Sequence, residues 1–148
     1  MMDFKDSAVK KILVPYDGSE QAQQAVKRAA HIARLQGATL MLLMVVDLNE
    51  EVAAFERVNV DGYMPAELKE GAYKEIAKIQ REMPEDIHVN SMVELGSPAE
   101  TIVETAEDEG YDLVVMGSRG LGRLEGFLMG SVSQYVLQHV HCPVLVVR

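Results

Sequence analysis

The residues best suited to do chemistry lie between Leu113 and Val132, LVVMGSRGLGRLEGFLMGSV. An apolar run, Leu113, Val114, Val115 and Met116, gives way to Gly117, Gly120, Gly122 and Gly126. The stretch closes on Gly130 and Ser131, where a helical pattern begins. This reads as a buried strand, a glycine-rich turn and a helix N-terminus. Glycines let backbone N–H groups approach an anion, and the first turn of a helix leaves several N–H groups unpaired. The Ser131 hydroxyl adds a donor at the same place. The chemistry on offer is therefore phosphate binding by main-chain amides.

The familiar phosphate loops do not fit. Gly117 to Gly122 has Walker A spacing, but Arg123 and Leu124 stand where lysine and a hydroxyl are needed. Gly120, Gly122 and Gly126 give GxGxxxG, not the dinucleotide fingerprint. What remains is G-x2-G-x9-G-[ST], from Gly117 to Ser131. Other constellations are weaker. His139 and His141 are two apart and cannot face one metal from a helix. Ser131 and Ser133 have no base nearby in sequence, so no nucleophilic triad is indicated.

These residues need a scaffold, and the apolar pattern supplies one. Ile12, Leu13 and Val14 read as a first strand ending at Pro15 and Tyr16. Asp17-Gly18-Ser19 reads as a turn and cap opening a helix over about 19–36. Ala22, Ala25, Val26, Ala29 and Ala33 form its apolar face, and Gly37 stops it. Residues 38–46 read as a second strand buried on both sides, because apolar and polar residues do not alternate. The pattern is lost from Asp47 to about Gly62, apart from one possible helical turn at Val52–Phe55; such a connection suits a lid. A helix over 66–82 follows Pro65, with Leu68, Ala72, Ile76 and Ile79 at helical spacing. Ile87, Val89, Met92 and Val93 suggest a third strand. Ser97-Pro98-Ala99-Glu100 reads as a capping box for a helix over 98–109, ended by Gly110. A fourth strand at 112–116, a last helix marked by Val132, Tyr135, Val136 and Val140, and a fifth strand at 143–147 complete the chain.

Strand and helix alternate throughout, which implies a parallel sheet covered by helices on both faces. With the strand order 3-2-1-4-5, the direction of winding reverses between the first and fourth strands. Ligands bind such sheets at the carboxyl ends beside that reversal. The ends meeting there are Pro15-Tyr16-Asp17 and Met116-Gly117-Ser118. Asp17 therefore faces the glycine loop. It can hold a ribose hydroxyl, sit near a Mg2+ that bridges phosphates, or cap the first helix.

Length and composition narrow the class. The 148 residues suit one domain, and 48% hydrophobic with 25% charged residues is a globular composition. A net charge of -9 disfavours nucleic-acid backbones and anionic lipid as partners. Cys142 is the lone cysteine, so no intrachain disulfide forms. The N-terminus lacks a secretory h-region, and the longest apolar run, Leu40 to Val46, is too short to span a bilayer. The cytoplasm is the expected compartment.

The pieces VPYDGSE at 14–20, GSRGLGRLEGFLMGS at 117–131 and CPVLVV at 142–147 together resemble the universal stress protein family, in its ATP-binding branch. The likeness spans nearly the whole chain and is least at 47–62. It implies a Rossmann-like three-layer α/β sandwich on a five-stranded parallel sheet, with a bound adenine nucleotide, ATP or else AMP or ADP. Pro15 and Asp17 would line the ribose and phosphate side, with Tyr16 between them. The backbone of Val45 would read the adenine edge. Met116, Gly117, Ser118, Arg119 and Gly120 would form the near loop. Gly130, Ser131, Val132 and Ser133 would hold the phosphates. Arg119 and Arg123 are cations beside that loop, serving phosphate or simply solvated.

The expected function is nucleotide-dependent regulation with slow or no hydrolysis, since no second acid or water-positioning residue accompanies Asp17. The apolar fifth strand would be a sheet edge suited to pairing with its own copy about a two-fold axis. Two other classes compete. One is a nucleotide-free protein-interaction module of the same fold. The other is an ATP-dependent ligase or pyrophosphatase, but YDGSEQ stands where such enzymes carry a serine-glycine-rich loop.

Overall fold

The structure, a computed structural model, describes residues 1–47, 65–119 and 129–148. The expected lid, beyond Asp47, and the loop residues Gly120, Gly122, Arg123 and Gly126 lie outside the described residues. Five strands are present: β1 Lys11–Pro15, β2 Thr39–Val46, β3 Val89–Leu95, β4 Leu113–Gly117 and β5 Val144–Val147. The described helices are α1 Glu20–Gln36, α2 Pro65–Glu82, α3 Pro98–Asp108 and α4 Ser131–His139. The strands pair in parallel in the order β3-β2-β1-β4-β5, as the alternation predicts.

The pleat sorts side chains into two cores. Ile12, Val14, Leu40, Leu42 and Val115 pack with Ala22, Ala25, Val26, Ala29 and Ala33 of α1 and Ala72 and Ile76 of α2. Leu13, Leu43, Val114 and Met116 pack on the other face with Ile102 and Ala106 of α3 and Val136 of α4. α1 presents mainly alanines because it lies close on the sheet centre, where larger side chains would hold it away. The doubly covered sheet is thus read correctly, but β2 is not fully buried: Met41, Met44 and Val45 remain partly exposed.

Local signals set most helix ends. Ser19, in extended conformation, is the N-cap of α1, its side chain accepting from the Ala22 N–H at 3.1 Å. Gly37 closes α1 at φ 66, and Gly110 follows α3 at φ 68. One expectation is corrected. Ser97 is the N-cap of α3 with Pro98 after it, but its side chain makes no cap bond, so the capping box is not formed. Ser97 is solvent-exposed, where water can serve both its hydroxyl and the first-turn N–H groups.

Gly71 lies exposed inside α2, and a Cβ there would meet nothing within 4 Å. Its replacement by alanine is expected to raise stability by about 0.5–1 kcal/mol through the backbone freedom it removes from the unfolded chain. Urea denaturation checks this; a lower midpoint would contradict it.

Candidate functional site

The carboxyl ends of β1 and β4 lie beside the reversal of winding. Their ladder is short, pairing at Ile12 with Leu113 and Leu13 with Val114, whereas β1 and β2 pair over five positions. Chain leaving β1 turns at once. The Asp17 carboxylate accepts from the Ser19 N–H at 2.9 Å, with Gly18 at φ 86 between them. Asp17 is therefore the turn residue, and the cap of α1 is Ser19. Asp17 remains exposed, so its outer surface stays accessible to a ligand.

Three hydrogen bonds join the other half of the site. The Ser118 N–H donates to the Val147 carbonyl at 2.7 Å, anchoring the chain as it leaves β4. The Gly130 N–H donates to the Ser118 carbonyl at 2.7 Å. The Ser133 hydroxyl, 3% exposed, donates to the Gly117 carbonyl at 2.7 Å. The last two bring the N-terminus of α4 onto the end of β4, although the bonded residues are 12 and 16 positions apart in sequence. Gly130 is the N-cap of α4, in extended backbone at φ -77 and ψ 165 and with no side chain to cap with. First-turn N–H groups have no intrahelical acceptor, so those of Ser131, Val132 and Ser133 can serve an anion.

These bonds refine the roles given to individual atoms. The Gly130 N–H and the Ser133 hydroxyl proton are committed to carbonyls of the β4 end, so their task is positioning. Ser118 is 2% exposed, and its hydroxyl has no hydrogen-bond partner. An orphan hydroxyl of this kind costs about 1–3 kcal/mol unless something else satisfies it.

Gly117 has a reason to be glycine that the sequence did not reveal. A Cβ there would lie 2.8 Å from Gln21 Cβ, 3.0 Å from the Gln21 carbonyl carbon and 3.1 Å from the Ala22 nitrogen. The first turn of α1 rests directly on Gly117. The absent side chain admits a helix, whereas the spacing had suggested only that it admits phosphate. Gln21 and Ala22 are accordingly neighbours of the site that pattern reading missed.

The remaining candidates divide by face. Val45, Met116 and Val132 share the core on the α3–α4 side. Pro15 ends β1 in register with Leu43. Tyr16 does not join them: its side chain is turned into the α1–α2 core, and only its backbone lies at the strand end. Burial first, then the Glu75 carboxylate, hold its phenol above the usual range, against a hydrogen-bonding effect of Gln23 in the other direction; Asp17 and Glu82 add smaller upward effects. Arg119 is partly buried just beyond Ser118, and Gly120 lies outside the described residues. Among the described residues no three His, Cys, Asp or Glu side chains gather as a metal site.

Comparison with known proteins identifies the family. The sequence model of the Universal stress protein family matches residues 8–148. The chain is 38% identical over 145 residues to Universal stress protein MJ0531 of Methanocaldococcus jannaschii, covering 97% of this chain and 84% of that protein. The solved structure of MJ0577 from the same organism has a TM-score of 0.81 at 36% identity, covering 95% of this chain and 96% of that one. A universal stress protein solved in complex with cAMP has a TM-score of 0.68 at 25% identity, covering 95% and 98%. On the family model, the sequence identity and the shared fold, this chain belongs to the universal stress protein family.

Proposed function

We propose that this protein is an adenine-nucleotide-binding regulatory protein that acts as a homodimer and hydrolyses its nucleotide slowly or not at all. The observation that carries the reading is the junction of β4 and α4, where Gly130 and Ser133 bond to Ser118 and Gly117. It sets a helix N-terminus at the crevice of the sheet and leaves the Ser118 hydroxyl unsatisfied. The cAMP complex of a family member supports adenine as the base.

In this reading the N–H groups of Ser131, Val132 and Ser133 hold phosphate, with Met116, Gly117, Arg119 and Gly120 beside them. Pro15, Tyr16 through its backbone, and Asp17 lie along the ribose, and the backbone of Val45 reads the base. The ligand is ATP, or else AMP or ADP, and Mg2+, if it enters, comes with the phosphates near Asp17. Among the described residues the site gathers binding groups without a general base or second acid, which fits slow chemistry. No helix among the described residues is long and apolar enough to cross a membrane, and the acidic chain suits the cytoplasm.

The dimer would form through 143–147. β5 is a sheet edge, Leu145 is 38% exposed on it, and Leu137 of α4 is exposed nearby in sequence. An apolar edge of this kind invites pairing with a second copy.

Gently purified protein is expected to release an adenine nucleotide on denaturation, read by mass spectrometry, and to sediment as a dimer at micromolar concentration. Turnover of ATP should stay well below about 1 per second, the lower end of ordinary enzyme rates. Absence of binding to ATP, ADP, AMP and cAMP by calorimetry would overturn the nucleotide reading.

A further inference from the structure

We infer that Glu94 is a specificity-determining residue of the nucleotide site: it accepts a hydrogen bond from the 6-amino group of adenine and disfavours purines that carry a 6-oxo group. The inference rests on the nucleotide reading above and adds to it the side chain that selects the base.

The register of the sheet places Glu94. It pairs with Val45 across β2 and β3, and Met92 pairs with Leu43 one step below. Partners in register share a face of the sheet, and so do alternate residues along one strand. Leu43, Val45 and Met92 all pack on the α3–α4 side. Glu94 is therefore on that side too, at the carboxyl rim, beside the residue whose backbone reads the base. On the other side of Val45, β1 ends at Pro15 in register with Leu43, and Asp17 follows two residues on. Val45 thus has a carboxylate toward β1 and another toward β3.

That order matches the length of a nucleoside. Adjacent strands lie about 4.8 Å apart, so two steps carry the rim from Asp17 past Val45 to Glu94. A purine with its sugar at Asp17 extends along this line, and its 6-substituent is at the end far from the sugar. Glu94 is partly buried, and among the described residues no ion pair or hydrogen bond engages its carboxylate. Ser91 of the same strand faces the other way and is bonded to Gln80 of α2 at 2.8 Å. An ionised carboxylate only accepts hydrogen bonds. Adenine offers it a donor at N6, whereas a 6-oxopurine turns an acceptor toward it. A site built to bond one polar group rejects the analogue that cannot make the bond.

The test measures calorimetric affinities of the full chain for ATP and for ITP, its 6-oxo counterpart, in the parent and in two variants. The parent should prefer ATP. Glu94→Gln keeps the size of the side chain and can turn an amide N–H to the 6-oxygen, so the ATP-to-ITP affinity ratio should fall about tenfold or more, the worth of one hydrogen bond to a charged group. Glu94→Ala serves neither base and should weaken ATP about tenfold with ITP little changed. A role confined to folding would weaken both nucleotides alike and leave the ratio where it was. A parent that binds ATP and ITP equally, or a Glu94→Gln ratio within about threefold of the parent's, would overturn this inference and leave the nucleotide reading standing. A parent that binds neither nucleotide would overturn both.

Discussion

Gly117→Ala is expected to lower the unfolding free energy by about 2–3 kcal/mol, and Gly117→Val by more, the upper end of overpacking costs in a well-packed interior. The new methyl would press on three atoms of α1, and two of these, the Gln21 carbonyl carbon and the Ala22 nitrogen, are backbone. Turning the Gln21 side chain cannot relieve them; the helix itself must shift. α1 places Ala22, Ala25, Val26, Ala29 and Ala33 in the central core, so a shift at its first turn loosens packing along its length. Urea denaturation of the two variants measures this. A Gly117→Ala midpoint equal to that of the parent would show that α1 does not rest on the glycine as described. Loss of nucleotide by a Gly117 variant would accordingly report a displaced helix as much as a blocked phosphate.

Gly130→Val is the cleaner probe of the phosphate reading, and its expected effect on binding is larger than on folding. Gly130 has φ -77 and ψ 165, backbone that any residue adopts, so conformation does not demand glycine there. Losing glycine as N-cap costs about 1 kcal/mol. If the first turn of α4 holds phosphate, a branched side chain at its cap stands where the anion must come. ATP affinity should then fall about a hundredfold or more, roughly 2.7 kcal/mol. Calorimetry alongside thermal melting separates the two effects. An affinity within threefold of the parent, in a variant that melts normally, would remove α4 from the site. The contrast between the two glycines is the useful result: one variant should lose stability, the other ligand.

Much of the scaffold is legible from local signals. The alternation of apolar runs with helical spacing foretells a parallel sheet because each pattern depends on residues at most four apart. Ser19 and Gly37 bound α1 for the same reason: a cap is made between near neighbours. The glycine-rich stretch points to the β4–α4 junction before any coordinates, since a strand, a turn and a helix start follow one another directly in the chain. Even here one local signal misleads. The Ser97 capping box has the right letters, yet the side chain makes no cap bond.

What the sequence alone determined is the class of the fold, the order of its elements and the place where an anion would be met, because periodicity and caps are set within a few residues. The tertiary structure decided which atom does what. It seated α1 on Gly117, committed the Ser133 hydroxyl to the Gly117 carbonyl, and left the hydroxyls of Ser118 and Tyr16 without partners. It also turned Tyr16 away from Val45 and Met116, toward the other face of the sheet. Such contacts join residues from 16 to nearly 100 positions apart, and only the packing of the finished layers brings them within bonding distance.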